Sequence, residues 1–189
     1  MFKEIGKAAD STVATVAAGS GLIEQVGGKG VYHFQCFDKD GKLKWEDWAP
    51  NLVVNQGLQD MNTQYFKGVT YTAAWYIGLV NNSPAPSYVA GDTLASHGWT
   101  ETTAYAGNRK AVTFGTATTA NPSVINNSSS VAQFVMNNTV TVAGAFLCTA
   151  ASGSTGVLFS ASDFQSPGAR AVVSGDTLNV TYQFSLTAT

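Results

Sequence analysis

Short apolar runs separated by Gly, Ser, Asn and Thr make up most of this chain of 189 residues. The last run, from Val180 to Leu186, alternates apolar and polar side chains with a period of two, which predicts a strand with one buried face. About nine or ten such runs follow one another without a regular strand–helix alternation. This pattern predicts a mainly β chain folded as an antiparallel, jelly-roll-like β-sandwich.

One stretch has the helical period instead. Apolar residues recur at helical spacing between Gln56 and Phe66, namely Leu58, Met61, Tyr65 and Phe66. We therefore predict one short helix with Asn55 as its N-cap and Gly68 at its end. A helix this short is marginally stable alone, so we expect its apolar face to pack on the sheet. The apolar run that follows, Thr70 to Val80, predicts a strand buried on both faces.

Two tryptophans follow a predicted hairpin turn at Asp38–Gly41. Trp45 and Trp48 differ by three positions, so in a regular strand they point to opposite faces of the sheet. One is expected to face the core and the other a neighbour or solvent, and Pro50 is expected to end the strand. We take Trp48 as a candidate partner-binding residue.

The first 30 residues are rich in glycine and poor in large apolar side chains. Glu4 and Asp10 interrupt the apolar core that a signal peptide would need. We predict a flexible N-terminal arm over residues 1–30 that becomes ordered by docking, and a single domain over residues 31–189. The candidate docking residues of the arm are its scattered large apolar side chains, Phe2, Ile5, Leu22 and Ile23.

Composition narrows the functional classes. Charged residues make up only 12% of the chain and the net charge is −2, so we expect no nucleic-acid partner. The sequence contains no apolar run of about 18 residues, and a membrane partner is not expected. Cys36 and Cys148 both lie in apolar runs, so we expect two buried free thiols, with a disulfide as the minority interpretation.

Candidate catalytic chemistry is sparse. His33 lies between two aromatic residues, and the adjacent pair Ser96–His97 cannot take up the geometry of a catalytic triad through sequence proximity. Glu46 and Asp47 are neighbours in a predicted strand, so they point to opposite faces and cannot flank one glycosidic bond. The spacings typical of metal sites and phosphate-binding loops are missing. We expect no enzyme, no catalytic residue, no metal and no cofactor.

Three blocks of sequence resemble a family of structural proteins of tailed bacteriophages and prophages. The shared pattern joins a helix start, a W/Y-Y-I-G-L strand, a D-T-x-A-S-H-x-G-W-x-E block and an arginine-containing strand. The corresponding positions in this chain are Asn51–Leu58, Trp75–Leu79, Asp92–Glu101 and Arg109. One departure is visible, because the third block has S-H-G-W where the family pattern has one more residue.

The resemblance implies a virion component assembled in the host cytoplasm. The expected function is capsid decoration, in which a homo-oligomer, with a trimer as the first guess, binds the major capsid protein on the outside of the head shell. A flexible arm suits this function because it can bury area on several neighbours. Two alternatives stay open: a tail, neck or fibre protein of the virion, and a carbohydrate-binding module that uses exposed aromatics such as Trp48 and Trp99.

Overall fold

The computed structural model describes residues 13–18, 22–68, 74–165 and 167–188 of the chain. Strands dominate, they pair antiparallel, and the described part contains one helix. The mainly β class is therefore confirmed, while the jelly-roll-like sandwich stays a prediction. The elements in chain order are β1 (Val13–Ala18), β2 (Leu22–Phe37), β3 (Leu43–Val53), α1 (Asn55–Lys67), β4 (Trp75–Asn81), β5 (Thr100–Glu101), β6 (Lys110–Val112), β7 (Ser123–Asn126), β8 (Ala132–Val135), β9 (Val140–Cys148), β10 (Leu158–Ser162), β11 (Arg170–Val172) and β12 (Thr177–Ala188).

Strand β3 connects two groups of strands. Its first part, up to Pro50, pairs with β2, and its last three residues, from Asn51 to Val53, pair with β10. The first group contains β1, β2, β12, β7 and β8, and the second contains β10, β9, β4, β5, β6 and β11. The prediction that Pro50 ends the strand is wrong, because the chain continues in extended conformation and only changes its partner there.

The inner faces of the two groups pack on a common core. Tyr32 of β2 lies 2.9 Å from the Ser160 hydroxyl of β10, and the rings of Phe159 and Phe184 lie 5.6 Å apart at 86°. A second cluster on the other side of β9 contains Trp99 and Phe146. Strand β4 lies between the two clusters, which confirms the predicted burial of both its faces. The fully buried large side chains are Tyr32, Tyr182, Phe34, Phe134, Phe146, Ile77, Leu79, Met136, Leu147, Leu158, Leu178 and Val54.

Helix α1 differs from its prediction at its start and in the packing of its last turn. Asn55 is the first helical residue and not the N-cap, a position that Val54 occupies without a side-chain hydrogen bond. Gly68 ends the helix in the left-handed conformation, with φ of 60°, as predicted. Tyr65 and Phe66 are 84% and 78% exposed, so the expectation that they pack on the sheet is wrong. They lie on the last turn, whereas Gln56 near the start of the helix contacts β10 by accepting a hydrogen bond from the Leu158 amide at 2.8 Å.

Strand β2 begins well before its predicted start at Val31. It runs without a break across the boundary expected at residue 30, and its first part pairs with β1. The two strands form an antiparallel ribbon in which Val13 pairs with Gly27 and Ala18 with Leu22. The described part of the expected arm is therefore a two-stranded ribbon that is continuous with the rest of the sheet.

Candidate functional site

The candidate partner-binding residues fall into two regions. Leu22 and Ile23 are the first two residues of β2, where they pair with Ala18 and Ala17 of β1. Trp48 lies in the middle of β3, on the outer face of the sheet. Phe2 and Ile5 lie outside the described residues. The structure thus separates two candidate regions, the N-terminal ribbon and the outer face of the sheet around Trp48.

Strand alternation places the two tryptophans of β3 on opposite sides, as predicted. Trp45 points inward, where its ring meets Phe164 edge-on at 5.6 Å. Trp48 points outward and is 55% exposed. Its ring stacks on His33 of β2, with ring centroids 4.3 Å apart and an angle of 12° between the planes. One face of the indole is therefore covered, and the other is open to solvent.

A carboxylate lies beside this stack. Glu46 precedes Trp48 by two positions on β3 and shares its outer face. Its Oε1 atom accepts hydrogen bonds from His33 Nε2 at 2.6 Å and from Gln35 Nε2 at 3.0 Å. Among the described residues the other carboxylate oxygen, Oε2, has no hydrogen-bond partner. Two strands thus hold the carboxylate in a fixed orientation while one of its oxygens can still accept a hydrogen bond.

Polar side chains continue this surface over the next strands. On β12, Thr181 pairs with His33 and Asn179 pairs with Gln35, so the polar surface continues from β2 onto β12. Strand β8 adds Gln133, whose Nε2 donates to Asn179 Oδ1 at 3.3 Å. We call this set the Trp48 surface; it consists of Trp48, Glu46, His33, Gln35, Thr181, Asn179 and Gln133. The pleat of the strands turns each of these side chains to the outer face, and their neighbourhood depends on a strand register that the sequence does not reveal.

Asp47 has a structural environment that differs from that of its neighbour Glu46. It points inward and pairs with Arg170, with Nη2 and Oδ2 2.6 Å apart. The guanidinium carbon of Arg170 also lies 5.9 Å from the Trp45 ring centroid, within cation–π range. The two adjacent carboxylates therefore lie on opposite faces of the sheet, as the sequence predicted, and they do not act on one bond.

The second histidine, His97, packs against a buried aromatic ring. His97 stacks on Trp99 at 3.6 Å, and its Nδ1 lies 2.9 Å from the Trp99 carbonyl oxygen. Trp99 is only 5% exposed, so it cannot present a binding surface, and that part of the carbohydrate hypothesis is wrong. Within the part of the chain that the structure describes, no group of His, Cys, Asp and Glu could hold a metal ion.

Both cysteines are buried free thiols, as predicted. Burial, together with the nearby charge of Asp176, raises the pKa of Cys36 to about 12. Burial also raises the pKa of Cys148. A thiol reacts as its thiolate, so at neutral pH neither residue has the properties of a catalytic nucleophile.

Two residues of the family-like motifs meet in a nearly buried ion pair. Arg109 directs its guanidinium at both oxygens of Glu101, at distances from 2.9 to 3.1 Å. The same group donates to the carbonyl oxygens of Ala150 and Gly153, and it lies 5.0 Å from the ring of Phe146. Because all these partners belong to the protein itself, the pair connects β5 to the loop after β9 and leaves little of its charge for a ligand.

The described residues line two cavities. An apolar pocket of about 160 Å³ lies between the core and helix α1, and Met61 and Trp75 form part of its wall. A cleft of about 610 Å³ lies where β3 changes partners, between Gly30, Asn51 and Asp163. Burial raises the pKa of Asp163, which shares the cleft with Lys29, Tyr88 and Ser162. In the described part of the chain no hydrogen bond joins the Asp163 carboxyl to any of these three side chains, so the cleft does not couple a nucleophile to a base.

Among the strands that the structure describes, the β1–β2 ribbon has one edge without a partner. Within the described residues, β1 pairs only with β2, and residues 22–25 of β2 pair only with β1, because β12 reaches no further than Val26. The sequence of β1, VATVAA, contains no charged residue and no proline. Natural sheets use charged residues and proline to protect exposed edges from pairing with other chains. This edge therefore has the backbone groups and the composition of a strand that pairs with another protein.

Comparison with protein-family models, curated proteins and solved structures finds no match for this chain. The resemblance to phage and prophage structural proteins remains an expectation from the motif residues. Within the described part of the chain, no helix has the length and apolarity needed to cross a membrane. Two surfaces are the candidates for partner binding, the β1 edge and the Trp48 surface.

Proposed function

We propose that this chain is a bacteriophage capsid decoration protein. In this proposal it binds the outside of the head shell and stabilises contacts between major capsid proteins. The observation that carries the proposal is the β1 edge, an uncharged strand that, within the described ranges, pairs on one side only, with β2. The motif resemblance around Asp92–Glu101 and Arg109 gives the partner class.

The ribbon suits attachment for an energetic reason. An isolated two-stranded hairpin is at best marginally stable in water, and here residues 22–25 lack support from β12. Pairing with a strand of a neighbouring protein supplies the missing backbone hydrogen bonds, and this type of strand addition is a common mode of recognition. The neighbour is proposed to be the major capsid protein, and a second copy of this chain would be bound in the same way within a trimer.

Co-sedimentation with empty capsids tests the proposal. Thr15→Pro removes an amide donor in the middle of β1 and is expected to weaken capsid binding at least tenfold. Lys39→Pro is the matched control, because Lys39 is the second residue of the exposed turn at Asp38–Gly41, a position where proline is favoured. It should bind as the unsubstituted chain does.

Two results would oppose the proposal. The first is the absence of co-sedimentation with capsids that lack tails, combined with binding to isolated tails, which would favour the tail or neck alternative. The second is unchanged capsid binding of the Thr15→Pro variant, which would show that the β1 edge is not the attachment strand. Circular dichroism and thermal melting of both proline variants establish that the rest of the fold is intact.

A further inference from the structure

The Trp48 surface has a composition that the capsid contact does not explain. Its side chains are polar, Glu46 is its one acidic residue, and Trp48 adds one exposed aromatic ring. We propose that this surface binds a neutral carbohydrate chain, with Trp48 as the stacking platform and with Glu46, Gln35 and Asn179 as partners of the sugar hydroxyls. The inference is independent of the capsid proposal, because it concerns a different face of the molecule.

Trp48 is suited to stack on a sugar ring. A pyranose has one face of C–H groups, which pack favourably against the electron-rich face of an aromatic ring, while its hydroxyls point sideways. His33 covers one face of the indole at 4.3 Å and is itself held by Glu46, so the ring has a restricted orientation. A platform that is fixed before binding loses less conformational entropy when the sugar binds.

The polar neighbours provide both acceptors and donors. A carboxylate is an acceptor only, so Glu46 Oε2 can accept a hydrogen bond from a sugar hydroxyl. Gln35 uses its amide nitrogen on Glu46, and its oxygen is left to accept. Asn179 uses its oxygen to accept from Gln133, and its nitrogen is left to donate. A hydroxyl can donate and accept, so a row of alternating groups of this kind matches vicinal hydroxyls.

The spacing of the surface also fits a sugar chain. Adjacent strands lie about 4.8 Å apart, and residues on one face of a strand repeat about every 6.7 Å. The side chains that follow Trp48 across β2 and β12, His33 and Thr181, therefore extend over about 10 Å, or two sugar units. The side chains lie on the outer face of the sheet, where Trp48 is 55% exposed, so the interior of a long polysaccharide chain can reach them as well as its ends.

Charge and area favour a neutral sugar over other ligands. The carboxylate of Glu46 would repel phosphate groups and acidic sugars. A stable protein interface buries about 800 Å² on each partner and has an apolar centre, whereas this surface offers one aromatic ring among amides and hydroxyls. The proposed occupant is accordingly a neutral polysaccharide, such as a glucan, a galactan or a chain of N-acetylhexosamines.

The test uses the full chain and defined oligosaccharides. The probes are hexaoses of β-1,4-glucose, α-1,4-glucose and N-acetylglucosamine and a β-galactan, with oligogalacturonate as the acidic comparison. Isothermal titration calorimetry measures affinity, and acrylamide quenching of tryptophan fluorescence measures protection of the exposed indole. We expect at least one neutral probe to bind with a Kd below 1 mM and to reduce the quenching, and oligogalacturonate to bind at least tenfold more weakly.

Variants assign the binding to the surface. Trp48→Ala should weaken the binding at least tenfold, Trp48→Phe should retain most of it, and Glu46→Gln should weaken it several-fold. Tyr65→Ala removes an exposed aromatic ring from helix α1 and is the matched control, for which an unchanged Kd is expected. Trp48→Phe keeps an aromatic ring and Glu46→Gln keeps the side-chain shape, so both variants remain informative even if Trp48→Ala does not fold.

Two outcomes would overturn the inference. One is that none of the neutral probes binds at 5 mM, and the other is binding that Trp48→Ala and Glu46→Gln leave unchanged. The Thr15→Pro variant separates this inference from the capsid proposal, since it should retain sugar binding while it loses capsid binding. If Trp48→Ala lost capsid binding and no neutral sugar bound the unsubstituted chain, the surface would be a protein contact and the carbohydrate inference would be wrong.

Discussion

Arg109 gives the most quantitative prediction about the stability of this fold. Its side chain is 7% exposed and that of its partner Glu101 is 24% exposed. Replacing Arg109 with Met retains much of the apolar stem but removes the guanidinium donors to Glu101, Ala150 and Gly153. The carboxylate of Glu101 then stays partly desolvated without its counter-charge, and two carbonyl oxygens lose a donor.

The expected magnitude follows from these contacts. Breaking a buried ion pair by removing one partner costs about 3–5 kcal/mol. Glu101 can regain some hydration through its exposed quarter, so we take the lower end and expect Arg109→Met to reduce the free energy of unfolding by about 3 kcal/mol. With a urea m-value of about 2.5 kcal/mol/M for a chain of this size, the midpoint should fall by about 1.2 M.

Urea unfolding followed by tryptophan fluorescence measures this change. Lys39→Met is the control, because the pair of Lys39 and Asp40 is 77% and 72% exposed and should contribute less than about 0.5 kcal/mol. The double variant Arg109→Met/Glu101→Gln should be more stable than the sum of the two single losses predicts, since it leaves no uncompensated charge. A loss below about 1 kcal/mol for Arg109→Met would refute the reasoning, because it would show that the pair behaves as an exposed one.

Three further predictions concern packing and titration. Gly144→Ala should destabilise the fold by about 1–3 kcal/mol in urea unfolding, because the new Cβ would overlap the Ser162 carbonyl oxygen; Gly91→Ala, with nothing near its Cβ, should change stability by less than about 0.5 kcal/mol. Stability should fall as pH rises above about 9, because burial raises the pKa of Cys36 and Cys148 in the folded chain, whereas the unfolded chain releases both protons near the ordinary thiol pKa. A melting temperature that stays constant from pH 8 to pH 11 would contradict this. A thiol reagent such as DTNB should label neither cysteine in the native chain and both in urea, and rapid native labelling would show that a thiol is accessible.

Side-chain periodicity was sufficient to predict the fold class. The alternation in β12, the density of apolar residues in β4 and the three-residue separation of Trp45 and Trp48 each reflect the period of two in a strand, and each is seen in the structure. The end of the helix at Gly68 was equally predictable, because glycine adopts the left-handed conformation there without a steric penalty.

Long-range register was not predictable. The neighbourhood of Glu46, Gln35 and Asn179 depends on how β3, β2 and β12 align, and residues far apart in the chain set that alignment. Helical period also does not reveal how far the supporting sheet extends, which explains why Phe66 is exposed although its spacing suggested burial. The β1 edge was missed because small residues such as those of VATVAA occur in flexible segments as well as in strands.

The copy number of this chain in purified virus particles tests the central claim most directly. Quantitative mass spectrometry of intact particles and of tail-less heads would give its ratio to the major capsid protein. Capsid decoration predicts hundreds of copies per particle, the same ratio in heads that lack tails, and a shell that withstands higher temperature when the chain is bound. A few copies per particle that are lost with the tail, or none at all, would contradict it.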